Sequence, residues 1–172
     1  MRQIKINSTI GSEIITVQNV KDYVRIDTAF DDNIITYMIS MARIWCENYI
    51  SRDIVSKNRT YYLDSTNGTF DLPFGPVSSI QEVRIDNTVT VDYEILGLDN
   101  ETIELDGGYD ERVLITYVTL GINDNLVKQA MLQLVSTYYD NRADFNSSDS
   151  QDITEIPTSA KTILTSYKTM FL

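Results

Sequence analysis

Apolar residues recur three and four positions apart in several parts of the chain, which is the spacing of one face of an α-helix. This pattern predicts helices over residues 17–24, 32–50, 124–142 and 157–169. The expected core face of the second helix is Ile34, Met38, Met41, Trp45 and Tyr49, widened by Ile35 and Ala42. The expected core face of the third helix is Val127, Ala130, Met131, Leu134, Val135 and Tyr138.

Residues that favour helix starts stand where these helices should begin. Thr16 can accept a hydrogen bond from the first turn of the first helix, and Pro157 suits the start of the last one. Asp31 and Asp32 place negative charge at the positive end of the second helix dipole. An adjacent acid pair can also be catalytic or bind a metal, but at this position capping is the favoured interpretation.

Between residues 55 and 120 the apolar period changes to two, which predicts β-strands. The expected strands cover residues 60–64, 69–72, 79–85, 88–95, 102–105 and 112–120. Asn67-Gly68 is typical of a two-residue hairpin turn, so the first two of these strands should pair with each other. Helices segregated from an antiparallel β unit define the α+β class, here a small helical bundle with an inserted β unit and flexible arms.

Two segments outside the predicted helices and strands determine the expected domain organisation. Residues 1–15 alternate isoleucines with polar residues, which predicts an arm or a strand ahead of a single domain over residues 16–172. Residues 143–156 are polar and acidic, which predicts a mobile loop before the last helix.

Composition narrows the function classes. The chain has 172 residues, a net charge of −11, a single cysteine and no histidine. One cysteine and no histidine cannot supply a zinc site, and no glycine-rich loop opens a helix to hold a phosphate, so we expect no metal and no cofactor. No motif indicates an enzyme, and no segment is apolar enough to predict a signal peptide or a membrane span.

A basic and aromatic cluster is the main candidate for nucleic-acid binding. Lys57 and Arg59 lie beside Tyr61 and Tyr62, a combination that can bind single strands. A strand with one solvated face explains the same residues, and the acidic net charge favours that interpretation, since phosphate binding needs a basic surface.

Several segments in a fixed order indicate a family. They are TVQNVKDYVRID, DDNIITYMISMARIWCENYISRDI, TYYLD, LPFGPVSSIQEVRID, DYEIL, VLITYVTLG, LVKQAMLQLVSTYYDNR and IPTSAKTILTSYK. Over residues 16–168, this series resembles the tailed-bacteriophage head–tail connector family, the small head-completion adaptors that assemble under the portal. Two positions depart from the family pattern, because Asn123-Asp124 replaces a proline and Lys168 replaces the closing arginine.

The resemblance implies a non-enzymatic structural protein of the virion neck, assembled in the host cytoplasm. It implies a dodecameric homo-oligomeric ring that binds the portal protein, extends the DNA channel and docks the next neck or tail protein. Genome DNA would pass without specific binding, because acids lining a channel repel phosphates within a Debye length of about 8 Å. The alternative is another neck or tail-completion protein, or a non-enzymatic protein-binding module.

Contact residues are expected in three places. The apolar C terminus requires burial, so the expected portal contacts are Tyr167, Lys168, Met170, Phe171 and Leu172, with packing on its own domain as the alternative. Tyr139 and Arg142 lie three positions apart on one side of the third helix, where they are candidates for a contact between subunits. The expected loop contacts to a neighbour are Asp144, Phe145, Asp149 and Asp152.

Overall fold

A computed structural model of the chain describes residues 1–141 and 156–168. The helices are α1 (Val17–Val24), α2 (Asp32–Ile50), α3 (Asn125–Asp140) and α4 (Thr158–Thr165). The strands are β1 (Arg2–Thr9), β2 (Lys57–Thr66), β3 (Thr69–Asp71), β4 (Val77–Ile85), β5 (Thr88–Thr90), β6 (Tyr93–Leu96), β7 (Thr102–Leu105) and β8 (Asp110–Thr119). The predicted α+β class is confirmed, and α1 and α2 have the predicted bounds.

Local hydrogen bonds explain where α1 begins and ends. The Thr16 side chain accepts from the Asn19 backbone N–H at 3.1 Å, and the Asn19 side chain accepts from the Thr16 backbone N–H at 2.9 Å. This reciprocal pair is a capping box, which satisfies two donors of the first turn. Arg25 takes a left-handed conformation with φ of 63°, which ends the helix.

The chain divides into two compact units. The β unit comprises residues 1–12 and 51–122, so the N-terminal strand belongs to it. The helical unit comprises residues 13–50 together with the chain from residue 123 onward.

The β unit contains two antiparallel sheets. The larger has the strand order β1-β2-β8-β4-β5 and the smaller has the order β3-β7-β6. Strands from both sheets supply its core, which consists of Tyr61, Leu63, Phe70, Leu72, Val77, Val83, Ile103, Leu105, Val113, Ile115 and Tyr117. Strand β1 lies at the edge of the larger sheet, and all of its residues are exposed.

Two strand predictions are wrong because pairing is decided by distant residues. β2 pairs with β1 and β8, whereas β3 pairs with β7, so Asn67-Gly68 carries the chain from one sheet to the other and closes no hairpin. The expected strand over residues 88–95 is two strands, because β5 pairs with β4 and β6 pairs with β7. The break lies at Val91-Asp92, where the Asp92 N–H donates to the Thr90 hydroxyl at 3.1 Å.

In the helical unit, α3 packs against the other three helices. Its predicted core face is confirmed at Val127, Ala130, Met131, Leu134 and Val135, which are all buried, whereas Tyr138 is half-buried. Cys46 is a free, buried thiol, and burial raises its pKa to about 12, which keeps it protonated and unreactive.

The core face of α2 differs from the predicted one. The side chains that α2 buries are Ile35, Met38, Ile39, Ala42, Cys46, Glu47 and Ile50. Ile34 and Met41 are exposed, and Trp45 and Tyr49 are half-buried with their rings stacked 5.0 Å apart. The predicted core face is confirmed at Ile35, Met38 and Ala42 and is wrong at Ile34 and Met41. α2 is apolar around more than half of its circumference, and periodicity alone does not determine which apolar side meets the rest of the unit.

Candidate interaction surfaces

The end of α4 positions the two described residues of the expected portal contact. Tyr167 is half-buried, and its hydroxyl hydrogen-bonds to Asp124, which raises the pKa of Tyr167 and lowers that of the Asp124 carboxyl. Lys168 is exposed, and its ammonium lies 5.3 Å from the centre of the Tyr49 ring, within the range of a cation–π contact. Met170, Phe171 and Leu172 lie outside the described residues.

The expected subunit contact begins at Tyr139, near the end of α3. Its side chain is half-buried, and its hydroxyl donates to the Asp31 carboxylate at 2.5 Å. Because Asp31 directly precedes α2, Tyr139 lies close to the start of that helix. Arg142, and the expected loop contacts Asp144, Phe145, Asp149 and Asp152, fall outside the part of the chain that the structure describes.

One exposed apolar surface was missed by the sequence reasoning. Ile34, Tyr37, Met41 and Ile44 lie three, four and three positions apart on α2, and 42%, 72%, 56% and 50% of their surfaces are exposed. We call this set the outer α2 face. Phe30, just before the helix, is 93% exposed as well. The available signal was the second run of apolar residues at helical spacing, of which the prediction had placed Ile34 and Met41 in the core.

The basic and aromatic cluster does not form an exposed surface. Lys57 and Arg59 are buried, and both donate to the carboxylate of the fully buried Asp53. Tyr61 belongs to the core of the β unit. The Arg59 guanidinium also lies 3.9 Å from the centre of the Phe74 ring. Since these charges are neutralised inside the fold, they do not form a binding site for single strands.

Asp53 holds this buried ion cluster (Asp53, Lys57 and Arg59) together. Its Oδ1 accepts from Lys57 Nζ at 2.9 Å and from Arg59 Nη2 at 2.6 Å. Its Oδ2 accepts from Arg59 Nε and Thr119 Oγ1, both at 2.7 Å. Burial alone would raise the pKa of Asp53, but the hydrogen bonds from Arg59 and Lys57 outweigh it and hold that pKa below its ordinary value. The cluster is therefore a structural element of the β unit.

Two further features bear on function. Among the described residues, no group of three or more acidic, histidine or cysteine side chains is arranged to hold a metal ion. Within the same ranges, no helix has the length and apolar character needed to cross a membrane.

Comparison with known proteins finds similar solved structures, and three of them come from gene transfer agent particles. The first is a chain in the neck of an empty particle computed with C6 symmetry, with a TM-score of 0.77 and 17% identity. The second is in the virion of the native particle, with a TM-score of 0.73 and 16% identity. The third is in the neck of the native particle computed with C12 symmetry, with a TM-score of 0.72 and 15% identity. Each covers 99% of this chain and 97% of the other.

At these identities, the structures establish a shared fold. No curated protein sequence matches the chain. The sequence itself matches the family described as Head completion protein over residues 13–170, which is most of its length. This match confirms the resemblance inferred from the order of the motifs. The chain therefore belongs to the head completion protein family, whose members are structural proteins of the virion.

Proposed function

We propose that this protein forms a homo-oligomeric ring in the neck between the head and the tail, below the portal protein. The observation that supports it is the family match over residues 13–170, together with a fold shared end to end with chains in particle necks. Those necks were computed with C6 and C12 symmetry, and a dodecameric ring is compatible with both. The role is architectural and requires no catalytic group.

The ring extends the channel through which genome DNA passes. Each copy has a net charge of −11, so a ring of copies is strongly acidic. Where carboxylates line the channel, they repel DNA phosphates over a Debye length of about 8 Å, and the polymer slides without binding. Burial of Lys57 and Arg59 beside Asp53 supports this, because it removes two cations from the surface.

Three sets of residues make the proposed contacts. The segment from Tyr167 to Leu172, which includes the exposed Lys168, docks on the portal protein. Tyr139 and Arg142 contact the adjacent subunit, and Asp144, Phe145, Asp149 and Asp152 reach a neighbour from the acidic segment. The opposite end of the ring receives the next neck or tail protein.

Native mass spectrometry with and without purified portal protein tests the assignment. We expect a closed ring, either alone or on the portal, and a monomer under both conditions would refute it in favour of a simple binding module. A truncation after Ser166 should abolish attachment to the portal, and full attachment of that variant would remove the docking proposal. Tight retention of DNA in a gel shift at physiological salt would contradict the sliding channel.

A further inference from the structure

Among the described residues, no part of the helical unit buries the side chains of the outer α2 face. α2 buries the residues on its other side, including Ile35, Ala42 and Cys46, and that side packs towards α3. Ile34, Tyr37, Met41 and Ile44 remain exposed at helical spacing. A contiguous row of large exposed apolar side chains is typical of a surface that another molecule covers, whereas scattered single ones are not.

The exposed side of α2 is also free of charge, in a chain whose net charge is −11. The exposed residues of α2 are Asn33, Ile34, Thr36, Tyr37, Met41, Ile44 and Asn48. The three charged residues of α2 are engaged elsewhere. Asp32 pairs with Lys21 at 2.8 Å, and Arg43 pairs with Glu47 and Glu13, each at 2.9 Å.

We propose that the outer α2 face docks a second copy of this chain and forms the apolar centre of the side-to-side contact in the ring. The inference rests on the ring proposed above. Two chains that each carry a charge of −11 repel each other, so an apolar surface without acids favours the centre of their contact. Tyr37 and Met41 are of residue types that are enriched in interfaces, and the buried centre of an interface contains few charges.

The outer α2 face runs along a long helix. α2 has 19 residues, so at about 1.5 Å per residue it presents a rod about 28 Å long. In a cyclic ring the contact is heterologous, so the outer α2 face of one copy meets a different surface of the next. Tyr139, which donates to Asp31 directly before α2, lies near the start of that helix.

The test uses Met41→Glu, Met41→Lys and Tyr37→Glu in the full-length chain, with Val91→Glu as the matched control. Val91 is apolar and 83% exposed, but it lies in the β unit. Ring formation is measured by native mass spectrometry over a concentration series, with and without portal protein, and the melting temperature of each variant by circular dichroism.

We expect each of the three α2 variants to weaken the contact by about 30-fold or more, as for a buried interface residue, while its melting temperature as a monomer stays unchanged. The control should assemble as the wild type does. Because the proposal depends on apolar burial, both charges at Met41 should disrupt the ring, and assembly of the Lys variant would overturn it.

Three other outcomes are decisive. Assembly of all the α2 variants would remove this face from the contact and leave the ring proposal intact. A large drop in monomer melting temperature would show that the chain covers the face with its own residues, which also overturns the inference. Failure of the wild type to assemble, even on the portal, would refute the proposed function itself.

Discussion

Replacing Asp53 with asparagine gives the sharpest test of the structural reasoning for the β unit. The carboxylate is fully buried and accepts from Lys57 Nζ, two nitrogens of Arg59 and Thr119 Oγ1. Asparagine has nearly the same shape but only one accepting oxygen, and its amide group donates. The substitution therefore turns one half of the site from acceptor to donor and removes the negative charge that two buried cations share.

The expected loss is large. Removing one partner of a buried ion pair costs about 3–5 kcal/mol, and two of the four donors that face Asp53 would then face an N–H donor. We therefore expect Asp53→Asn to lower the free energy of unfolding by about 4 kcal/mol. The matched control is Asp99→Asn, because Asp99 pairs with Arg52 at 2.9 Å on a partly exposed surface. That pair should contribute less than about 1 kcal/mol.

The assay is urea unfolding at neutral pH followed by far-ultraviolet circular dichroism, with the wild type and both variants measured in parallel. A loss below about 1 kcal/mol for Asp53→Asn, equal to that of the control, would refute the conclusion that the buried ion cluster stabilises the β unit.

The stability difference between the wild type and Asp53→Asn should depend on pH. The pKa of Asp53 is lowered in the folded state, so its contribution is complete above the unfolded pKa of about 3.9 and is lost as the pH falls through the folded value. The stability difference between wild type and Asp53→Asn should thus be constant from neutral pH down to about pH 4 and shrink below it. The other carboxylates titrate equally in both proteins, so their contributions cancel in this difference. A difference that grew on acidification would contradict the assigned direction.

Three further substitutions test individual features by urea unfolding. Trp45→Ala should cost about 1–3 kcal/mol, less than for a fully buried ring, and a larger loss would mean that the ring is more enclosed than its half-buried position indicates. Gly68→Ala should cost roughly 1–3 kcal/mol, because φ is +102° and a Cβ would lie 2.8 Å from the Gly108 backbone. Gly107→Ala is its control and should be nearly neutral, since its Cβ would meet only ordinary contacts. Asp124→Ala removes the acceptor of the Leu126 N–H at 2.7 Å and should cost about 0.5–2 kcal/mol, and no change would exclude a capping role.

Local signals in the sequence were sufficient to predict where the helices lie and to identify the family. Thr16 and Asn19 form a capping box from residues three positions apart, and the period of α3 identified its buried residues. Such features depend on near neighbours along the chain, so short windows of sequence contain them. The order of the motifs was sufficient to identify the family, because it reflects the order of these same elements along the chain.

Tertiary structure alone decided three matters. It selected the buried side of α2 and left Met41 exposed, it paired β2 with β8 instead of with β3, and it enclosed Lys57 and Arg59 around Asp53. For α2 the deciding factor is which of its two apolar sides is covered, and for β2 it is a partner strand far along the chain. Lys57 and Arg59 are close to Asp53 in sequence, but the carboxylate also accepts from Thr119, 66 residues away, and only the folded β unit buries these groups together. Periodicity shows which sides of an element are apolar and which are polar. The partner across the core determines whether a given side is buried.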